Sequence, residues 1–239
     1  YILSGLKEKN ELPKNPYFVK TIVTTELQRK IAESFNVTVE NTLTGFKWIC
    51  GRMKEIEEKS PERNFVFATE ESFGYMNHNF VRDKDGICSV ALMAELTLWY
   101  KLRGMDIIDG LDEISQNYGH YQEQLLCLDY EGKEGSEKIN SIMNHFRENF
   151  STSMNQQEIS EIEDYLSSEV KNLKTNETKP ILLPKSNVLG ISFTNGDKLY
   201  LRPSGTEPKI KFYIMVNSNE KDLSSSKSIT TEKINNFLS

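Results

Sequence analysis

Apolar and polar positions along the chain fall into two differently patterned halves. In the first half, β-rich runs alternate with helical periods. Tyr17–Thr25 is rich in aromatic and β-branched residues. Glu26–Asn36 predicts a short helix, Val37–Val39 a strand, and Phe46–Lys59 a helix stopped at Ser60-Pro61. Phe65–Thr69 predicts a short buried strand. After a polar loop, Gly86–Arg103 predicts a long helix with Ile87, Val90, Ala91, Ala94 and Leu98 on one face and Gly104 as its C-cap. A last helix is predicted near Asp106–Tyr118. Strands alternating with helices predict a layered α/β domain over residues 1–118.

The pattern changes around Gly119. Tyr121–Tyr130 predicts a strand and Ser136–Phe150 an amphipathic helix. Residues 151–180 are polar and predict a surface insertion, partly helical on the spacing of Ile159, Ile162 and Leu166. Asn187–Thr194 and Lys198–Leu201 flank the turn signal Asn195-Gly196-Asp197, which predicts a hairpin. A strand at Ile210–Val216 and a closing helix toward Leu238 complete the reading. The second domain, 119–239, is therefore expected to be α+β with an antiparallel sheet.

Composition narrows the function classes. With 37% hydrophobic and 27% charged residues, the chain can bury a core. Its net charge of -6 argues against a nucleic-acid or membrane-surface partner, so any bound anion must be held by a local site. No apolar run is long enough to span a bilayer, and no signal peptide is visible. Cys50, Cys88 and Cys127 are far apart, and the histidines form no ligand-like cluster. No disulfide framework or metal site is expected; buried free thiols in a reducing cytoplasm are. The start at Tyr1, inside an apolar-periodic stretch without an initiator Met, suggests a segment cut from something longer.

Four segments could carry chemistry. Leu201-Arg-Pro-Ser-Gly-Thr-Glu-Pro-Lys-Ile-Lys211 sets a guanidinium, two hydroxyls, a glycine and two lysines around a loop between strands. A phosphate dianion is held by such donors. Phe67-Ala-Thr-Glu-Glu-Ser-Phe-Gly74 ends a strand in two carboxylates, which can accept from sugar hydroxyls at a strand end. Thr42-Leu-Thr-Gly-Phe-Lys47 leads into a helix whose start could hold a phosphate or hydroxyl. Val81-Arg-Asp-Lys-Asp-Gly86 precedes the long helix, with Asp85 as a natural N-cap. Each segment taken singly also reads as an ordinary polar turn or cap.

Taken together and in order, Thr44-Gly-Phe-Lys47, Glu70-Glu-Ser-Phe-Gly74, Arg82-Asp-Lys-Asp-Gly86 and Arg202-Pro-Ser-Gly-Thr-Glu-Pro208 resemble the α-D-phosphohexomutases, the phosphoglucomutases and phosphomannomutases, most nearly their bacterial phosphoglucomutase branch. That resemblance implies four domains around one cleft, of which 1–118 would be the third and 119–239 the fourth. Glu70 and Ser72 would read sugar hydroxyls, with Thr44 and Gly45 nearby. Arg202, Ser204, Gly205, Thr206 and Lys211 would hold the phosphate, and Lys84 matches a basic residue considered for catalysis. The family's phosphorylated serine and magnesium-binding aspartate loop belong to its first and second domains, and neither pattern occurs here. The resemblance therefore implies a C-terminal, separately inactive part of a cytoplasmic isomerase that interconverts glucose 1-phosphate and glucose 6-phosphate. Magnesium and glucose 1,6-bisphosphate would serve the parent enzyme, whose first two domains would be this segment's partners. A mannose- or pentose-phosphate mutase, or a non-catalytic phosphosugar-binding module, stays open.

Overall fold

Strand β1 (Pro16–Thr21) is buried at every position, as a strand covered on both faces must be. In the computed structural model, which describes residues 1–149, 151–205 and 207–239, it forms the centre of the first of two units, Tyr1–Gly119. It pairs in parallel with β2 (Thr38–Thr42) and β3 (Asn64–Glu70), and β4 (Gly74–Met76) returns antiparallel, in the order β2-β1-β3-β4. Thr21 lies level with Thr42, and Lys20 with Thr69. The carboxyl ends of the three parallel strands thus finish along one edge.

Helix α3 (Phe46–Lys59) covers one face of this sheet, setting Phe46, Ile49, Met53 and Ile56 on Tyr17, Val19, Ala68 and Met76. On the other face Ala32 of α2 (Glu26–Ser34) packs with Phe18 and Val37, and Leu3 of α1 (Ile2–Glu8) joins them. Thr25 starts α2 by accepting from the Leu27 amide. Helix α4 (Gly86–Leu102) ends on Arg103, one residue before the expected cap. Gly104 then takes φ +73°, which lets its own amide and that of Met105 reach the Lys101 and Tyr100 carbonyls. Asp106 and Asp109 close a reciprocal capping box at the start of α5 (Ile107–Tyr118).

The expected apolar face of α4 is turned outward. Ile87, Val90, Ala91, Ala94 and Leu98 are all exposed, whereas Tyr100 is buried and Leu92, Leu96 and Trp99 line a cavity of about 710 Å³ shared with α1, α2 and α5. The helix is apolar nearly all round, so its periodicity offers more than one candidate face and cannot say which is inward.

The second unit, His120–Ser239, is built on an antiparallel sheet. Its elements are β5 (His120–Asp129), α6 (Gly132–Glu148), β6 (Ser153–Met154), β7 (Gln157–Asp164), β8 (Glu169–Asn172), β9 (Thr178–Pro180), β10 (Leu189–Phe193), β11 (Lys198–Pro203), β12 (Lys209–Ser218) and α7 (Leu223–Leu238). The strands run β5-β12-β11-β10-β7-β8-β9, with β6 on β7. Met143 of α6 and Ile234 of α7 pack onto the face bearing Leu189, Ile191, Leu201, Ile210 and Ile214. Asp197, fully buried after the Asn195-Gly196 turn, accepts from the Asn217 amide at 3.0 Å and the Lys233 ammonium at 3.0 Å, tying α7 to the hairpin. Removing one partner of such a buried pair strands the other.

Three further expectations need correction. Residues 151–180 are a run of strands, and Ile159 and Ile162 are core residues. Ile162 opposes Ile191, Glu161 opposes Ser192 and Ile159 opposes Phe193, so a bulge at Ser160 places two residues of β7 against one step of β10. The bulge brings positions three apart onto the same face, which imitates helical spacing. The helix expected at Ser136–Phe150 begins earlier, at Gly132, and Phe150 lies outside the described residues. Finally, the thiols are not all buried: Cys127 is exposed, and Cys50 and Cys88 are half-buried.

The bulged-strand assignment predicts unequal costs along one apolar row. Ile162→Ala should destabilise the second unit by about 2–4 kcal/mol, the usual cost of truncating a buried Ile. Leu166→Ala, at a side chain 48% exposed, should change it by about 0.5 kcal/mol or less. Urea unfolding of the two variants measures both, and equal losses would return the segment to the helical reading.

Candidate functional site

Three loops meet at the carboxyl edge of the parallel strands. The loop after β3 carries the acidic pair. Glu70 is nearly fully buried; its Oε1 accepts from the Lys84 ammonium at 2.9 Å, while its Oε2 is buried and accepts no hydrogen bond. Glu71 Oε2 accepts from the Thr21 hydroxyl at 3.0 Å. Ser72 is exposed, and its carbonyl also receives Lys84 Nζ, at 3.2 Å. Phe73, at φ +52° and 90% exposed, turns the chain into β4. Gly74 fits because a Cβ there would collide with the Phe46 ring and lie 2.6 Å from Glu70 Cγ.

The loop after β2 leads to α3. Thr44 is half-buried, and Gly45, at φ +115°, is the N-cap without a side-chain hydrogen bond, so the helix start is not closed by its own cap. The loop after β4 is held at both ends. Arg82 Nη2 reaches both Glu57 oxygens of α3 at 2.7 Å, and Asp83 Oδ1 accepts from the Lys84 amide at 2.8 Å. Asp85 Oδ1 caps α4 by accepting from the Ile87 and Cys88 amides, and its Oδ2 lies 3.2 Å from His78 Nε2. The Cys88 thiol first, then its amide, the His78 ring and the Ile87 amide hold the Asp85 carboxyl down at about 2. The same contact with Asp85 pushes the Cys88 thiol up.

Lys84 thus joins the acidic loop to the start of α4. Lys20, which the sequence reading did not single out, is fully buried at the end of β1. Its ammonium donates to Glu26 Oε1 at 2.8 Å and to the Thr24 carbonyl at 2.9 Å, fixing the turn beside Thr21. A lysine between Val19 and Thr21 in an otherwise apolar strand was the available signal.

In the second unit the phosphate-type loop connects β11 and β12. Arg202 and Lys211 are directly opposed in the ladder, which sets their Cβ atoms about 5 Å apart on one face. Both are half-buried, and neither side chain makes a hydrogen bond or ion pair with any described residue. Lys209, by contrast, is neutralised by Asp129 at 3.1 Å and Glu207 at 3.3 Å. The Ser204 amide donates to the Lys209 carbonyl at 2.8 Å, and nothing lies within 4 Å of where a Gly205 Cβ would stand. Thr206 lies outside the described residues. The fold therefore groups Thr44, Gly45, Glu70, Ser72 and Lys84 in the first unit, and Arg202, Ser204, Gly205 and Lys211 in the second.

Parallel strands with helices on both faces, followed by an antiparallel α+β unit, are the architecture expected of a phosphohexomutase type of chain, and sequence comparison agrees. Residues 1–118 match the family model for phosphoglucomutase/phosphomannomutase, alpha/beta/alpha domain III. The chain is 38% identical over 233 residues to a phosphoglucomutase of Staphylococcus epidermidis, covering 98% of this chain and 41% of that protein. To a phosphoglucomutase of Staphylococcus aureus (strain MRSA252) it is 40% identical over 204 residues, covering 85% of this chain and 36% of the relative. Among solved structures, the Paramecium phosphoprotein pp63/parafusin superposes with a TM-score of 0.57 at 15% identity, over 92% of this chain and 37% of that one. A putative phosphomannomutase from Thermus thermophilus gives 0.53 at 15% identity, over 97% and 39%. Likeness at that identity speaks to the fold alone. Residues 1–118 are thus a phosphoglucomutase/phosphomannomutase domain III by sequence, and the chain spans about two fifths of the length of the curated relatives it matches.

Asp85 makes the stability of the first unit pH-dependent in a defined direction. Its folded-state carboxyl sits at about 2 against an ordinary 3.8. The stabilisation is thus complete above the ordinary value and is lost as pH falls from there through about 2. Asp85→Asn keeps a capping oxygen but removes the charge. Thermal melts should show wild type the more stable at pH 5, with the gap closing toward pH 2. A gap that stayed constant would mean that charge at Asp85 is irrelevant to the cap.

Proposed function

We propose that this chain is the substrate-recognition part of a phosphosugar mutase, reading sugar hydroxyls with its first unit and holding a phosphate with its second. The observation that carries the reading is the buried, unpartnered Oε2 of Glu70. A buried carboxylate oxygen without a donor costs about 1–3 kcal/mol, and a sugar hydroxyl arriving at the strand end supplies that donor. Lys84 keeps the carboxylate oriented through the other oxygen. As an ammonium bonded to Glu70 it has no lone pair to take a proton, so its proposed role is positioning and electrostatic rather than that of a base. Ser72, Thr44 and Gly45 would add hydroxyl and backbone donors around the same loop edge.

The opposed Arg202 and Lys211 support the second half of the reading. Like charges facing each other across a ladder are destabilising, and a dianion between them reverses the sign. Arg202 offers the planar fork that matches two phosphate oxygens, with the Ser204, Gly205 and Thr206 stretch supplying hydroxyl and amide donors. The proposed reaction is the interconversion of glucose 1-phosphate and glucose 6-phosphate, passing through a phosphoserine and a glucose 1,6-bisphosphate intermediate. The relatives' names favour glucose over mannose or pentose phosphate.

Magnesium, which this class of enzyme uses, does not fit the acidic residues here. Asp83 Oδ1 accepts from the Lys84 amide, and Asp85 is grouped with the His78 imidazole and the Cys88 thiol rather than with further oxygen donors. Mg²⁺ is held by oxygen ligands in octahedral geometry, so no step is assigned to it in this chain.

Two experiments test the proposal. The chain alone, given glucose 1-phosphate, magnesium and a trace of glucose 1,6-bisphosphate, should form no glucose 6-phosphate above blank; turnover that co-purifies with the chain would refute the division of labour. In the full-length protein, Arg202→Ala should weaken phosphosugar binding by about 2–4 kcal/mol, roughly 30- to 700-fold. Arg202→Lys should recover only part, since the charge returns without the fork. Melting temperature should hardly move, because no described partner is lost. Unchanged affinity, or collapse of the fold, would make Arg202 structural.

A further inference from the structure

We infer that His78, Asp85 and Cys88 form a binding site for a thiophilic divalent cation of the Zn²⁺ class, clamping the loop after β4 onto the start of α4. The three residues offer an imidazole nitrogen, a carboxylate oxygen and a thiol sulfur whose ligand atoms all lie within 4.8 Å of one another. No other group of three or more such residues comes together among the described residues. The closest approach, His78 Nε2 to Asp85 Oδ2, is 3.2 Å. Zinc bonds of about 2.0–2.3 Å hold tetrahedral donors roughly 3.3–3.8 Å apart, so the set has to close by roughly 1–1.5 Å at most.

The donor set selects the ion. Nitrogen, oxygen and sulfur together suit zinc and related transition metals, and a thiolate disfavours the hard ions Mg²⁺ and Ca²⁺. Deprotonated Cys88 and Asp85 carry two negative charges, which balance a divalent cation with a neutral His78. On binding, the Cys88 S–H bond breaks, its proton leaves to the buffer and a metal–sulfur bond forms, with no change of oxidation state. Asp85 Oδ1 stays on the Ile87 and Cys88 amides, so the helix cap survives while Oδ2 turns from the ring to the ion.

The surroundings suit a site open on one side. Phe80 stacks on the His78 ring with centroids 3.8 Å apart, fixing the ring plane. The His78 and Asp85 side chains are 14% and 19% exposed, which leaves a path for the ion and a fourth position for water. His78 Nδ1 is buried with no partner. Nε2 is therefore the ring's only engaged nitrogen, and it faces the other two donors. The site shares no ligand with the Glu70 and Arg202 loops, and its existence does not depend on the mutase reading.

The test is a Co²⁺ titration of the full chain, kept reduced with a phosphine. Cobalt bound to thiolate gives a near-ultraviolet sulfur-to-metal charge-transfer band. One equivalent should saturate the band, and Zn²⁺ should bleach it. Cys88→Ser should abolish it. His78→Ala should weaken cobalt binding by more than roughly 10–100-fold, the loss typical of removing even an outer-shell partner. Cys50→Ser and Cys127→Ser should leave the band intact. Zn²⁺ should raise the melting temperature of wild type but not of His78→Ala, a readout that survives if Cys88→Ser folds poorly. No band, a band retained in Cys88→Ser, or undiminished affinity in His78→Ala would overturn the site.

Discussion

The ion pair between Glu70 and Lys84 is the constraint on which the first unit's functional edge depends. Glu70 is the last residue of β3, and Lys84 stands just before the cap of α4. Their 2.9 Å contact joins two loops separated by a strand. One Lys84 ammonium also holds the Ser72 carbonyl, so the acidic loop is fixed through both backbone and side chain. Arg82 on Glu57 and Asp85 on the helix amides fasten the other loop on either side of Lys84. The result is a carboxylate whose free oxygen is held in place before any ligand arrives. Preorganisation of this kind removes the ordering cost from binding.

The second unit gathers unpaired charge by a different route. The chain is acidic overall, and the loop between β11 and β12 gathers cations against that background. Lys209 is already neutralised by two carboxylates, whereas Arg202 and Lys211 face each other without one among the described residues. The ladder's register, rather than sequence adjacency, opposes them, because Arg202 pairs with a residue nine positions away on the returning strand. Beside the pair, nothing lies within 4 Å of where a Gly205 Cβ would stand.

Much of this was legible in the sequence, and the failures have specific causes. Helix α3 is bounded by Gly45 and by Ser60 before a proline, so its limits could be read directly. The hairpin around Asn195-Gly196 was equally explicit, since Gly196 takes φ +88°. The strand β7 was misread because its bulge at Ser160 gives Ile159 and Ile162 a helical separation. The inward face of α4 was not recoverable, since an all-apolar helix carries no phase. The candidate loops were readable as motifs, but their wiring was not. Nothing in the order of residues states that Lys84 reaches Glu70, that Lys20 is buried on Glu26, or that His78 meets Asp85 and Cys88.

Both candidate loops leave an electrostatic debt in the unliganded chain, and that shared feature says how binding energy would be gained. Among the described residues, Glu70 Oε2 has no donor and the Arg202 and Lys211 side chains have no anion. A fold selected for stability alone would replace Glu70 by an apolar residue and one of the opposed cations by a carboxylate. Keeping them sacrifices stability in the empty state. A hydroxyl donor would relieve the first penalty, and a dianion the second. Each unit's unsatisfied groups thus describe by complement what it lacks: a hydrogen-bond donor at Glu70 in the first and an anion at Arg202 and Lys211 in the second.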